Sequence, residues 1–212
     1  MKTEIIDYIA SNRVSSTEVA DALYKTGAIP GVSAINRQHF KVGNVFWVFA
    51  CDGTNWHVHE QIRHVARGDI VFIDVFNCGD RAIFGDLASK YLLLYRHAKA
   101  IVVTGYVRDV HRLIKENWPI WCLGFTPIGC VNENLAISIP PDALAERREQ
   151  YHGAIAVCDD SGVVIIPKEK HTREFLDRLH FMEQQEDTWY ECIDRKKWDT
   201  FDTICLKKYL EQ

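Results

Sequence analysis

The 212-residue chain has no C-x-x-C pair, no excess of basic charge and no long apolar run. Its seven cysteines (51, 78, 122, 130, 158, 192 and 205) are odd in number and never closer than eight residues, which disfavours a structural zinc site and a disulfide framework. Lys and Arg total 25 against 29 Asp and Glu, a formal charge of −4. No global basic field therefore exists to hold a polyanion, and nucleic acid is disfavoured as a partner. No window approaches the roughly 20 uninterrupted apolar residues of a membrane span. The opening Met1-Lys2-Thr3-Glu4-Ile5-Ile6-Asp7 sets acids among its first apolar residues, unlike a secretory leader. The expectation is a reduced, soluble, cytoplasmic protein without a membrane partner.

What is present is core material: 47% of residues are hydrophobic, enough for one compact domain of this length. Ile5, Ile6 and Ile9 recur at helical spacing, and Ser16-Thr17-Glu18-Val19 opens a second helix that Gly27 and Pro30-Gly31 stop. The runs 42–50, 68–76 and 100–105 are short, β-branched and aromatic, as strands buried on both faces should be. Helices are expected over about 57–66, 85–96 and 109–115 between them. Strand alternating with helix means α/β. Pro119 to Pro127 reads as a strand with a loop, Val131 to Ile139 as a polar–apolar alternation, and Asp142 to Gln150 as a short helix or exposed loop. Residues 153–167 read as a β-hairpin turning at Asp160-Ser161-Gly162, and 169–212 as one or two terminal helices with Phe175, Leu176, Leu179 and Met182 on one face.

One constellation stands out. Gly85-Asp86 opens a helix, and Arg108-Asp109 follows the next strand. In α/β units the carboxyl end of a strand and the amino end of the next helix share an edge, so these residues can converge on a small anionic site. Backbone N–H groups of Gly85, Asp86, Leu87 and Ala88 would receive a carboxylate, Arg108 would clamp it bidentately, and Asp109 would hold a hard divalent cation directly or through water. The plain alternative is an N-cap aspartate beside a surface Arg–Asp pair.

The blocks Gly68-Asp69-Ile70-Val71, Ala82-Ile83-Phe84-Gly85-Asp86-Leu87-Ala88, Val102-Val103-Thr104-Gly105-Tyr106-Val107-Arg108-Asp109 and Asp159-Asp160-Ser161-Gly162-Val163-Val164-Ile165-Ile166-Pro167 resemble, in order, the signature blocks of the RraA-like family. Ser16-Thr17-Glu18-Val19-Ala20-Asp21-Ala22-Leu23 is similar too, so the resemblance runs over about residues 14–167. That family includes 4-hydroxy-4-methyl-2-oxoglutarate / 4-carboxy-4-hydroxy-2-oxoadipate aldolases and regulators of ribonuclease E activity. The resemblance implies a single α/β/β/α swivelling domain of the phosphohistidine type over 1–167. A C-terminal helical extension, 168–212, would pack on it or on a neighbouring subunit. It also implies a homotrimer or hexamer with sites at subunit interfaces.

The implied activity is that of a metal-dependent (class II) aldolase or oxaloacetate decarboxylase, acting on a small 2-oxo acid. Mg²⁺ or Mn²⁺ would be chelated by the 2-oxo acid end and supported by Asp109. Arg108 would bind the carboxylate or keto oxygen, and Asp86, through a water, would take the proton of the departing hydroxyl. Glu183 of a neighbouring subunit is the candidate second carboxylate. Cleavage beside a 2-oxo acid leaves an enolate, which is why a cation and a guanidinium are needed at that oxygen.

The chain departs from the pattern at Phe76-Asn77-Cys78-Gly79-Asp80-Arg81, at Thr104-Gly105, and in a Gly85-to-Arg108 separation one residue longer than expected. Two alternatives follow: a non-catalytic regulator of a ribonuclease, or a lyase for a larger sugar-derived acid whose distal pocket residues 76–81 and 121–134 would line. His57 and His59 have the spacing of a metal pair on a strand, although a polar helix start explains them better. Cys122 and Cys130 read as buried small hydrophobes, and the aromatic tail Trp189, Tyr190, Trp198, Phe201 and Tyr209 as a packed helix face.

Overall fold

The structure is a computed structural model and describes residues 1–211. Its backbone is a seven-stranded mixed sheet backed on one face by a smaller three-stranded parallel sheet, with helices outside both. Two helices, α1 (Lys2–Asn12) and α2 (Ser16–Ala22), come first. Ser15, one residue before the expected opening, caps α2 in a reciprocal box: its hydroxyl accepts the Glu18 N–H at 3.1 Å, and the Glu18 carboxylate accepts its N–H at 2.7 Å.

The large sheet runs β1 (Ser33–Ala34), β7 (Ile120–Cys122), β5 (Ala100–Val103), β3 (Ile70–Phe76), β2 (Lys41–Cys51), β9 (Ile155–Asp159) and β10 (Gly162–Ile166) in spatial order. Strands β7, β5, β3 and β2 are mutually parallel, with Trp47 opposite Phe72 and Phe72 opposite Val102. Both faces of these strands are buried, and the period of two sorts alternate residues into different cores. Val48, Ala50, Val71, Ile73, Ile101 and Val103 face the small sheet, while Val45, Trp47, Ile70, Phe72, Ala100 and Val102 face the opposite side. The hairpin β9–β10 turns where expected and does the same: Ile155 and Val157 pack with α1, α2 and α7 (Arg173–Asp194), and Ala156 and Cys158 with Trp47 and Tyr151.

The small sheet consists of β4 (Ala82–Phe84), β6 (Tyr106–Val107) and β8 (Gly124–Phe125), in that order. The expected strand 100–105 therefore stops at Val103 and hands over to a second strand in another sheet, and 119–127 likewise divides between the two sheets. Helices α3 (Trp56–Gln61), α4 (Asp86–Lys90) and α5 (Val110–Lys115) flank this half, and α4 runs on into a π-helical turn at Tyr91–Tyr95. Residues 131–139 form no strand despite their alternation; they are largely exposed, with a bridge only between Thr54 and Val131. The charged patch after them is a helix, α6 (Pro141–Tyr151), clamped to the sheet by Arg147. Buried Asp74 accepts Arg147 Nε at 2.8 Å, Arg147 Nη2 at 3.2 Å and Trp47 Nε1 at 3.2 Å.

Candidate active site at the ends of three parallel strands

The small sheet positions the site. Its three strands end side by side, so that Phe84, Val107 and Phe125 deliver Gly85, Arg108 and Thr126 to one edge. Main-chain bonds fix the spacing: Arg108 N–H donates to Phe84 O at 3.0 Å, and Thr126 N–H to Val107 O at 3.1 Å. The carboxyl edge of a parallel sheet is where α/β proteins place ligands, because helix starts and loops converge there.

Asp109 sits at the N-cap position of α5 in the left-handed conformation, φ 60° and ψ 30°. Its side chain makes no cap within its own helix. Instead Oδ2 accepts the Asp86 N–H, at the start of α4, at 3.2 Å. Gly85 makes this approach possible, since a Cβ there would collide with Asp109 Oδ2 and lie 3.0 Å from Arg108 Cγ. The buried Ser89 hydroxyl donates to Gly85 O at 2.9 Å and holds that carbonyl in place.

Arg108 is half-exposed, with Nε 3.9 Å from Asp109 Oδ2. Its guanidinium packs on Gly129, where a Cβ would come within 2.5 Å of Nη1. Arg108 and Asp109 open into a cleft of about 470 Å³ that they line with His111, Phe125, Thr126 and Pro127. The Asp86 carboxylate turns the other way, toward Arg112 Nη1 at 3.5 Å, in an adjoining recess of about 210 Å³ with Lys90, Lys115 and Glu116. The expected convergence thus occurs through the Asp86 main chain and the Asp109 carboxylate. Of the expected amide donors, that of Asp86 is already engaged by Asp109; Leu87 and Ala88 follow in the first helical turn, where amides lack intrahelical partners. Leu87 is 82% exposed and Ala88 is buried.

Sequence reasoning missed Arg112, Ser89 and Gly129. Arg112 reads as one more helix cation, and only the α4–α5 packing brings it to Asp86. Glu183 lies on α7, whose buried face packs with α1 and α2, and its carboxyl is pushed up by burial and by Asp187. It lines neither the Arg108 cleft nor the Asp86 recess of its own chain.

His57 and His59 both fall on α3 rather than on a strand. His57 stacks on Phe49 with centroids 5.6 Å apart, while His59 lines a separate recess with Trp56 and Arg63. Cys122 is buried, and burial pushes its thiol up to about 11. A larger recess, about 800 Å³ around Gly27, Glu146 and Lys168, shares no residue with the strand-end edge.

Among the described residues, no three His, Cys, Asp or Glu side chains cluster as a closed metal site. Asp109 offers a carboxylate that is 40% exposed beside an open cleft. A single oxygen donor with room for water and substrate fits a hard cation such as Mg²⁺ or Mn²⁺, which keeps much of its water and takes few protein ligands. No helix among the described residues is long and apolar enough to cross a membrane.

A family model described as RraA-like, Aldolase/RraA, matches residues 16–165, which contain the strands up to the last residue of β10 and the whole strand-end site. The chain belongs to the RraA-like family. A protein of Halalkalibacterium halodurans named "Putative 4-hydroxy-4-methyl-2-oxoglutarate aldolase" is 29% identical over 170 residues, covering 77% of this chain and 78% of that one. Two solved structures share the RraA-like fold. A protein from Pseudomonas syringae pv. tomato superposes with a TM-score of 0.71 at 23% identity, covering 95% of this chain and 96% of that one. Streptomyces coelicolor RraAS2, described as an unusual member of the RNase ES inhibitor RraA protein family, gives 0.67 at 24% identity, covering 87% and 94%.

Proposed function

We propose that this RraA-like protein is a divalent-metal-dependent lyase that cleaves or decarboxylates a small 2-oxo acid and releases pyruvate. The observation that carries the reading is the contact of the two motifs: the Asp109 carboxylate on the Asp86 amide, with the Arg108 guanidinium free to face the cleft. The aldolase name of the Halalkalibacterium relative supports the same chemistry.

Arg108 binds the substrate carboxylate or keto oxygen and meets the negative charge that develops there as the C–C bond breaks. Asp109 would hold the Mg²⁺ or Mn²⁺ ion. When bound, that ion supplies Lewis acidity at the 2-oxo group. Asp86 takes the hydroxyl proton of an aldol substrate through a water that reaches its recess, where Arg112 holds the carboxylate. Oxaloacetate, which has no hydroxyl to deprotonate, needs only the first two functions.

The site is read as completed by a neighbouring copy in a trimer or hexamer, which is where Glu183 would enter. Leu87, 82% exposed beside Asp86, and Phe125, 53% exposed at the cleft wall, support a partner surface here. The seven free thiols fit a reducing, cytoplasmic setting.

The deciding experiment measures pyruvate release from oxaloacetate and from 4-carboxy-4-hydroxy-2-oxoadipate, with Mg²⁺, with Mn²⁺ or with EDTA. Metal-dependent release in wild type, lost in Arg108→Ala and Asp109→Ala, is the expected result. Absence of release from both substrates with either metal overturns the reading and turns attention to larger sugar-derived acids and to protein partners.

A further inference from the structure

The recess beside Asp86 is a polar site with a chemistry of its own. Asp86, Lys90, Arg112, Lys115, Glu116 and Trp118 line it, around about 210 Å³. Helix geometry brings its cations together: Lys90 stands one turn beyond Asp86 on α4, Lys115 one turn beyond Arg112 on α5, and the two helices pack on each other. Apart from the Trp118 indole every lining side chain is charged, which excludes an apolar guest. The volume lies below the roughly 300–1,000 Å³ of pockets for drug-sized ligands, so the guest is small.

The charges do not cancel. Three cations face two carboxylates, and among the described residues a single pair forms, Arg112 Nη1 to Asp86 Oδ2 at 3.5 Å. The Lys90 and Lys115 ammonium groups and the Glu116 carboxylate have no hydrogen-bond or ion-pair partner among the described residues. Arg112 has donors to spare, since a guanidinium carries five N–H bonds and Asp86 takes one of them. Trp118 forms part of the wall, and its buried Nε1 has no acceptor among the described residues.

We propose that this recess binds a small oxyanion, a phosphate or a carboxylate, between Lys90, Lys115 and the free edge of Arg112. The lysines act as point charges and the arginine as a planar fork that keeps Asp86 on one side and takes the oxyanion on the other. Glu116 opposes the guest and holds its affinity down. The chain as a whole carries a formal charge of −4 and exerts no general pull on anions, so attraction here is local. The recess shares no lining residue with the Arg108 cleft, and the proposal stands whether or not the chain is a lyase.

The test is direct binding to the full-length protein, without metal or 2-oxo acid. Inorganic phosphate and malonate are titrated separately at low ionic strength, where exposed charges are least screened, and heat and tryptophan fluorescence are read. Saturable binding of at least one probe is expected, with a fluorescence change that Trp118→Phe removes. Lys90→Gln and Lys115→Gln should each weaken binding about fivefold, and Glu116→Gln should tighten it by a similar factor. Phosphate as the tighter probe identifies the guest as a phosphoryl group, malonate as a carboxylate. No saturation by either probe, an affinity unchanged in both lysine variants, or a dependence on Arg108 that puts the ion in the cleft instead, would overturn the proposal. Lys90, Lys115 and Glu116 are all exposed, so their replacement tests the recess without disturbing the core.

Discussion

Arg112 of α5 reaches back across the helix pair to Asp86 of α4, Nη1 to Oδ2 at 3.5 Å, and thereby links the starts of the two helices that carry the site. The arginine is 60% exposed and the carboxylate 15%, a geometry worth less than about 1 kcal/mol to the fold. Its value lies in orientation. Arg112→Ala should leave the melting temperature nearly unchanged and lower kcat on an aldol substrate about tenfold with KM little altered, whereas Arg112→Lys should recover part of the loss. An equal loss on oxaloacetate, which has no hydroxyl proton to remove, would contradict the positioning role.

Asp109 sits in a strained backbone. Left-handed φ and ψ cost a non-glycine residue about 1 kcal/mol, which glycine escapes. Asp109→Gly and Asp109→Ala should both abolish metal-dependent pyruvate release, but Asp109→Gly should be more stable by about 1 kcal/mol in urea melts. Equal stability would show that the backbone relaxes once the carboxylate is gone.

The Asp74–Arg147 pair predicts a stability effect remote from the chemistry. Arg147→Ala leaves a carboxylate that is 4% exposed without its bidentate partner, and should cost about 3 kcal/mol. Trp47 and Thr104 still donate to Asp74, which keeps the loss from being larger. Asp74→Asn in the Arg147→Ala background should return much of that stability. Thermal denaturation of the single and double variants reads this directly.

His152 gives the fold a defined response to acid. Burial first, then Arg148, holds its imidazole below the ordinary 6.5, and Nδ1 accepts the Trp47 N–H at 3.3 Å, an acceptor that protonation would remove. The unfolded chain binds this proton at higher pH than the folded one. The contribution is therefore complete above 6.5 and is lost as pH falls toward the folded value. His59 and His171, also lowered by burial, act in the same direction. Glu183 and Glu186, raised by burial, oppose it: their contribution is present below 4.5 and lost as pH rises. His152→Asn should show a smaller drop in melting temperature than wild type between about pH 7.5 and 5.5.

The parts that sequence made legible are those in which one physical signal acts alone. Strands β2, β3 and β5 announce themselves because burial on both faces leaves an unbroken β-branched and aromatic run, and the β9–β10 hairpin because Ser161-Gly162 interrupts one. Strands β4, β6 and β8 are two or three residues long, too short to show a period, and they pair in a sheet that only tertiary structure defines. The site follows the same division. Gly85-Asp86 and Arg108-Asp109 stood out as motifs, but the direction of the Asp86 side chain depends on how α4 meets α5, which no local pattern encodes. Alternation over 131–139 misled because exposed residues alternate without any sheet to receive them.

Gly85 and Asp109 also constrain how this site can change over generations. The carboxylate occupies the space that any larger residue at 85 would need, so substitutions at the two positions cannot be accepted independently. A lineage leaving glycine at 85 must first lose or move the Asp109 carboxylate, and so passes through a form without its contact to the Asp86 amide. Gly85→Ala should accordingly be harmful in the wild-type background and less so in the Asp109→Gly background, where the 3.0 Å approach to Arg108 Cγ remains, which ties the two codons together in inheritance.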